Sequence, residues 1–142
     1  MRLLSGFPVL LPYVGTVPKK SESNMQVIAS AEKFDNVVVV TLKERLDVFS
    51  AEQLMEEFDV LLHEGSTHFV VDLTGVRVVD ADGDYPLLHL LKCVQEVGGS
   101  VSLVCPAGNP IRVYYEMMRL DTLFDIEDTL EVALKQFQLT LR

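Results

Sequence analysis

Short apolar runs and longer periodic stretches alternate along the chain from Met25 onward. Residues 26–30 and 37–42 are rich in β-branched side chains and flank the turn-forming pair Asp35-Asn36, which predicts an antiparallel hairpin. Three further apolar runs predict strands, the first two of the kind that is buried on both faces: 69–73, 101–105 and 124–126.

Apolar residues at helical spacing predict four helices between these strands. In the first, Ser50 resembles an N-cap, Gln53 follows three residues later, and Gly65 ends the helix. The helices are expected at residues 50–64, 85–97, 111–120 and 130–137. Alternation of strands and helices requires crossover connections, so we predict an α/β fold with a mixed sheet of four to five strands.

The first 24 residues differ from the rest of the chain. Residues 1–18 are apolar apart from Arg2 and are interrupted by prolines, and residues 19–24 are polar. This pattern fits neither a secretory leader nor a membrane span. It favours an irregular arm, or residues upstream of a natural start at Met25. The boundary divides charge as well, because residues 1–24 carry +2 and residues 25–142 carry −11.

Composition narrows the classes of partner and the compartment. The 142 residues have a net charge of −9 and no long basic cluster, which argues against nucleic-acid binding. Cys93 and Cys105 lie in apolar stretches and are interpreted as buried free thiols in a reducing compartment, so we expect a cytoplasmic protein.

Three carboxylates lie within five residues of one another at Asp80, Asp82 and Asp84. One or two acidic side chains can cap the following helix, but the remainder repel one another unless they face a cation or a positively charged partner. The spacing starts like a calcium loop and then departs from it, since the turn glycine and the closing glutamate are missing.

Motifs for catalysis and cofactor binding are absent from the sequence. The three histidines are isolated, and no nucleophile elbow, paired-cysteine motif, zinc-protease motif or phosphate-cradling glycine loop is present. We therefore predict a protein that is not an enzyme and that has no cofactor and no metal site.

The order of these segments over residues 25–137 resembles the STAS domain, which occurs in bacterial anti-sigma factor antagonists and in the cytoplasmic tails of sulfate transporters. Five segments carry the resemblance: residues 45–47 with Glu44 where glycine is usual, residues 69–76, residues 80–83, residues 98–104 and residues 120–133. The resemblance implies a STAS-like domain over residues 25–142, with an initial antiparallel hairpin.

Residues 80–83 fall on the family's Asp-Ser-Ser/Thr-Gly signature, whose first serine is phosphorylated by a partner kinase in antagonists. Ala81 occupies the phospho-acceptor position, and no serine or threonine is present from Val76 to Tyr85. The resemblance thus implies a non-phosphorylatable signature loop. The partner-binding residues it suggests are Asp80, Ala81, Asp82, Gly83, Asp84 and Tyr85.

Three hypotheses for function follow. The leading one is a non-enzymatic protein-interaction module that resembles an anti-sigma factor antagonist and is compatible with a homodimer. It presents the acidic turn at 80–85 and the exposed faces of the first two predicted helices to an anti-sigma serine kinase or a related regulator. The second is a STAS subunit that docks on the ATPase of an ABC transporter, without inserting into the membrane. The third is a cation or small-ligand sensor that uses the acidic loop.

Overall fold

The computed structural model describes residues 27–137, so the predicted segment 1–24 and its boundary at residue 25 lie outside the described residues. The strands are β1 (Ile28–Phe34), β2 (Val37–Leu46), β3 (His68–Val79), β4 (Ser100–Val104) and β5 (Asp125–Glu127). The helices are α1 (Val48–His63), α2 (Ala81–Gln95), α3 (Pro110–Met117) and α4 (Leu130–Lys135). None of these helices is long and apolar enough to cross a membrane.

The five strands form one mixed sheet in the order β1-β2-β3-β4-β5. Strands β1 and β2 are antiparallel and turn at Asp35, whose φ is 55°, as the predicted hairpin requires. The remaining neighbours are parallel, which confirms the predicted mixed sheet and its initial hairpin.

Both faces of the central strands are covered. Residues 37–40 of β2 and residues 69–71 of β3 are buried without interruption, because alternate side chains enter different apolar clusters. The larger cluster joins one face of the sheet to α1, α2 and α3, and the smaller one includes Ala133 and Leu134 of α4.

Two helix starts differ from their predicted positions. The N-cap of α1 is Asp47 and not Ser50, which instead forms the N3 side of the capping box. Helix α2 begins at Ala81, four residues before the predicted start, so its apolar stripe is preceded by a polar first turn. Pro86 therefore lies in the second turn, where it has no N–H to donate to the carbonyl of Asp82.

Candidate functional site

The ends of β2 and β3 bring the first turns of α1 and α2 together. The backbone N–H of Asp80 donates to the carbonyl of Leu46 at 3.2 Å, which ties the start of α2 to the end of β2. Gly83 packs directly on that backbone, since a Cβ at residue 83 would lie 1.8 Å from the Leu46 carbonyl oxygen. Only glycine permits this approach, and the two helix starts consequently form one continuous surface.

The start of α1 is closed by a compact set of polar contacts. The Asp47 carboxylate accepts hydrogen bonds from the backbone N–H groups of Phe49 and Ser50 at 3.1 and 3.3 Å. Its other oxygen accepts a 2.7 Å bond from Arg45 Nε. Burial acts to raise the pKa of Asp47, but the hydrogen bond and charge of Arg45 outweigh it and hold that pKa below its ordinary value.

The residue at the family's usual glycine position has a backbone conformation that glycine adopts easily. Glu44 has a φ of 67°, in the left-handed region, and the β2–β3 register shifts between Glu44 and Arg45. A glutamate here carries a conformational cost that glycine would not, of about 1 kcal/mol. Glu44 thus occupies a left-handed backbone position at the place where the resemblance predicts glycine.

The three aspartates of the acidic turn have three different environments. Asp80 is the N-cap of α2, and its carboxylate accepts a 2.9 Å bond from the Gly83 N–H. Asp82 is exposed in the first turn of the helix. Asp84 is only 4% exposed and points towards α3. The prediction that one or two carboxylates serve as caps therefore holds for Asp80 alone.

Asp84 is held by two adjacent tyrosines of α3. Tyr114 Oη donates to one carboxylate oxygen at 2.8 Å, and Tyr115 Oη donates to the other at 2.7 Å. Burial raises the pKa of Asp84 above its ordinary value, although both tyrosine bonds act in the opposite direction. Burial and the nearby carboxylate raise the pKa of Tyr114 to about 12. This contact fastens α2 to α3 inside the domain.

Exposed apolar side chains lie at the starts of α1 and α2 and at the end of β3. Phe49 is 70% exposed and Tyr85 is 58% exposed, and both lie within the first two turns of their helices. Val48 and Val78, at the ends of the adjoining segments, are also about half exposed. Arg45 lies over the Phe49 ring at 5.2 Å and supports it from one side. We call the set Val48, Phe49, Val78, Ala81, Asp82 and Tyr85 the helix-start surface.

The structure divides the residues that the sequence suggested as a partner-binding site. Ala81, Asp82 and Tyr85 lie on the helix-start surface, Asp80 is half-buried as a cap, and Gly83 and Asp84 are buried. The predicted surface already included the exposed face of the first helix, but Val48, Phe49 and Val78 were not identified, because they lie just outside the predicted helix 50–64 and the acidic turn.

The tyrosine partners of Asp84 were also missed, although one signal was available. Asp84 precedes Leu87 by three residues and therefore lies on the apolar side of the predicted helix. A carboxylate at such a position needs a hydrogen-bonding partner, and adjacent Tyr114 and Tyr115 provide it 30 and 31 residues later.

The described residues contain no metal-binding cluster, and their two thiols differ in exposure. Residues 27–137 contain no group of three His, Cys, Asp or Glu side chains that could hold a metal ion. Cys105 is buried as predicted, whereas Cys93 is partly exposed, with its Sγ 3.5 Å from His89 Nε2. The expectation that both thiols are buried is wrong for Cys93.

Comparison with known proteins agrees with this architecture. Residues 29–133 match the family model described as "STAS domain". A Thermotoga neapolitana protein named "Putative anti-sigma factor antagonist TM1081 homolog" is 29% identical over 105 residues, which cover 73% of this chain and 92% of that protein.

Solved structures share the fold at lower identity. The crystal structure of Thermotoga maritima TM1081 superposes with a TM-score of 0.69 at 24% identity, covering 77% of this chain and 93% of that one. The phosphorylated form of the Bacillus cell fate determinant SpoIIAA gives 0.59 at 20% identity, with 75% and 96% covered. On the family match and the shared mixed sheet, this chain belongs to the STAS domain family.

Proposed function

We propose that this protein is a non-enzymatic binding module of the anti-sigma factor antagonist type, whose partner contacts the helix-start surface without phosphorylation at residue 81. The observation that carries the proposal is the exposure of Phe49 and Tyr85 at the two helix starts, together with exposed Asp82, which has no ion-pair partner within residues 27–137. Aromatic anchors beside a polar group are typical of the few residues that dominate binding energy at protein interfaces.

The chemistry of the surface favours a partner with a positively charged contact region. Asp82 contributes charge, and Pro86 leaves the Asp82 carbonyl without its usual helical donor. Both groups accept hydrogen bonds, so a partner that presents Lys, Arg or backbone N–H groups complements them. An anti-sigma serine kinase or a related regulator is the partner that the family relationship supports.

The sequence of the signature loop supports a surface whose charge is not switched by phosphorylation at residue 81. A phosphate at residue 81 would add about −1.5 to −2 charges at the start of α2. Ala81 has no hydroxyl to accept it, and Asp82 supplies a single negative charge one residue further on. A carboxylate has less charge and fewer acceptor oxygens than phosphate, so we infer that binding here does not follow a phosphorylation cycle at residue 81.

The test compares two charge reversals at equivalent helix positions. Asp82→Lys and Glu131→Lys each place a lysine in the exposed first turn of a helix, so their cost to helix stability is matched, at about 0.3–1 kcal/mol. Wild-type and variant proteins are used to capture partners from host lysate, and the kinase identified by mass spectrometry is purified and titrated calorimetrically. We expect Asp82→Lys to raise Kd at least about tenfold and Glu131→Lys to leave it unchanged.

Other outcomes would reject or redirect the proposal. Equal affinity of the Asp82→Lys and Glu131→Lys proteins would reject the helix-start surface. Selective capture of an ABC transporter ATPase would replace the antagonist role with the transport role. A thermal shift with millimolar calcium would instead support the cation sensor. The different environments of Asp80 and Asp84 argue against that sensor, because their carboxylates are already occupied by the Gly83 N–H and by the two tyrosines.

A further inference from the structure

We propose that the apolar N-terminal segment of this chain, residues 1–18, docks on the helix-start surface and covers it when no partner is bound. This inference rests on the proposed function insofar as the covered surface is the partner site. It makes the segment an internal competitor, so that a partner must displace it to bind.

The surface has the apolar exposure that such a segment would cover. Phe49 and Tyr85 are more than half exposed, and Val48 and Val78 are exposed by 51% and 49%. Four exposed apolar side chains at one pair of helix starts and the adjoining end of β3 are a concentration of the kind that usually meets a binding partner. The described part of the chain leaves this patch open.

Val27, the first described residue, lies at the edge of the sheet where α1 and α2 begin. The Val27 carbonyl accepts a 2.9 Å bond from the Lys43 N–H, and Ile28 pairs with Leu42. Because β1 runs antiparallel to β2, Val27 lies at the same edge of the sheet as Leu46, where β2 ends. Three residues of strand separate Lys43 from Leu46, which is about 10 Å.

The length of the preceding chain is sufficient. The eight residues 19–26 can span at most about 26–29 Å when fully extended. Val27 pairs with Lys43, which is about 10 Å along β2 from Leu46, and α1 begins two residues after Leu46, so this span exceeds the strand length to be covered along this edge. The length of residues 19–26 is therefore sufficient for residues 1–18 to reach the helix-start surface.

The sequence of residues 1–20 complements the helix-start surface in both polarity and charge. Residues 1–18 are apolar with the single charge of Arg2, which suits Phe49 and Tyr85. Lys19 and Lys20 follow, and the domain they would meet carries −11. Among described residues 27–137, Asp82 at the surface has no ion-pair partner. A basic pair next to an apolar segment matches a carboxylate next to an apolar patch.

Photo-cross-linking in the full chain tests the proposal without a partner. Benzoylphenylalanine is placed at Phe49, on the patch, or at Val97, which is similarly exposed at 64% but follows the opposite end of α2. Illumination of a mixture of ¹⁴N- and ¹⁵N-labelled protein and mass spectrometry of the linked peptides identify the target and show whether it belongs to the same chain. We expect position 49 to link to residues 1–20 of its own chain and position 97 to give at least fivefold less of that product.

A second variant tests the chemistry of the contact. Leu10→Asp combined with Leu11→Asp makes the segment polar, and we expect the link from position 49 to fall at least fivefold. Links from position 49 only to a second copy, no link at all, or equal yields from positions 49 and 97 would each overturn the proposal. The outcome is independent of the partner titration, since an intact link with equal Asp82→Lys and Glu131→Lys affinities would reject only the partner site.

Discussion

The N-terminal ends of α1 and α2 are built alike but differ in charge balance. Each begins with an aspartate N-cap in extended backbone, at φ −141° for Asp47 and −144° for Asp80. In α1 the cap is neutralised by Arg45. In α2 the cap is followed by two more carboxylates, and no ion pair within residues 27–137 involves any of the three.

The comparison shows how one fold separates a structural helix start from a binding one. Asp47 is fully occupied inside the domain, so the first turn of α1 contributes only apolar exposure to the surface. Helix α2 places one carboxylate in the cap, one in the interior and one in solvent. Of the three aspartates, only Asp82 is then available to a partner. The surface therefore offers a partner fewer negative charges than the three aspartates in the sequence suggest.

The largest expected effect comes from breaking the contact between the two helix starts. Gly83→Ala would increase intrinsic helix propensity by about 1 kcal/mol, which by itself predicts a more stable protein. Its Cβ, however, would meet the Leu46 carbonyl oxygen at 1.8 Å, so the first turn of α2 must move. We expect a net loss of about 3 kcal/mol in the free energy of unfolding, measured by urea titration. An increase in stability would contradict the packing of α2 on β2.

An intermediate effect should come from the buried carboxylate. Asp84→Ala leaves the hydroxyl groups of Tyr114 and Tyr115 without their acceptor, at a cost of about 1–3 kcal/mol for each hydroxyl that stays buried. The matched control combines Asp84→Leu with Tyr114→Phe and Tyr115→Phe, which makes the contact wholly apolar. Urea titration should show the triple variant to be more stable than Asp84→Ala; the reverse order would show that the carboxylate does not pair with these tyrosines.

The smallest effect is a difference in the sign of pH dependence between the two helix starts. The pKa of Asp47 is lowered by folding, so its contribution to stability is complete above its unfolded pKa and is lost as pH falls through the folded value. The pKa of Asp84 is raised by folding, so its contribution is complete below its unfolded pKa and is lost as pH rises through the folded value.

Urea titrations of Asp47→Asn and Asp84→Asn across pH 3–7 separate the two contributions. The loss of stability in Asp47→Asn should grow with pH, because the wild-type carboxylate becomes ionised and paired with Arg45. The difference between wild type and Asp84→Asn should shift against the wild type as pH rises. Parallel profiles for the two variants would contradict the different environments of Asp47 and Asp84.

The secondary structure follows from local patterns, whereas the site depends on contacts between distant residues. The hairpin at Asp35 and the buried strand at 69–71 were predictable because turn residues and continuous apolar runs are local signals. The start of α1 was misplaced because Ser50 and Gln53 imitate a capping box. The real box begins at Asp47, whose use as a cap is supported by Arg45.

The different exposure of the aspartates in the acidic turn shows more clearly what a sequence pattern cannot predict. Asp82 and Asp84 belong to the same acidic run, yet one is exposed and the other is 4% exposed. The choice depends on Tyr114 and Tyr115, which only folding brings to α2. The helical phase of Asp84 relative to Leu87 was a usable local signal, but no local signal predicted that Phe49 is exposed at the neighbouring helix start.

The strand order of the sheet also bears on how the chain folds. Every ladder joins strands that are consecutive in sequence, so no pairing has to wait for an element from the far end of the chain. The β1–β2 hairpin pairs residues that are close in sequence and loses the least chain entropy when it forms, whereas each parallel ladder joins residues on either side of a helix, such as Val37 and His68, and loses more. The sheet can grow one neighbour at a time from the β1–β2 hairpin as the chain leaves the ribosome, and the two helix starts meet once β3 and the first turn of α2 have been made.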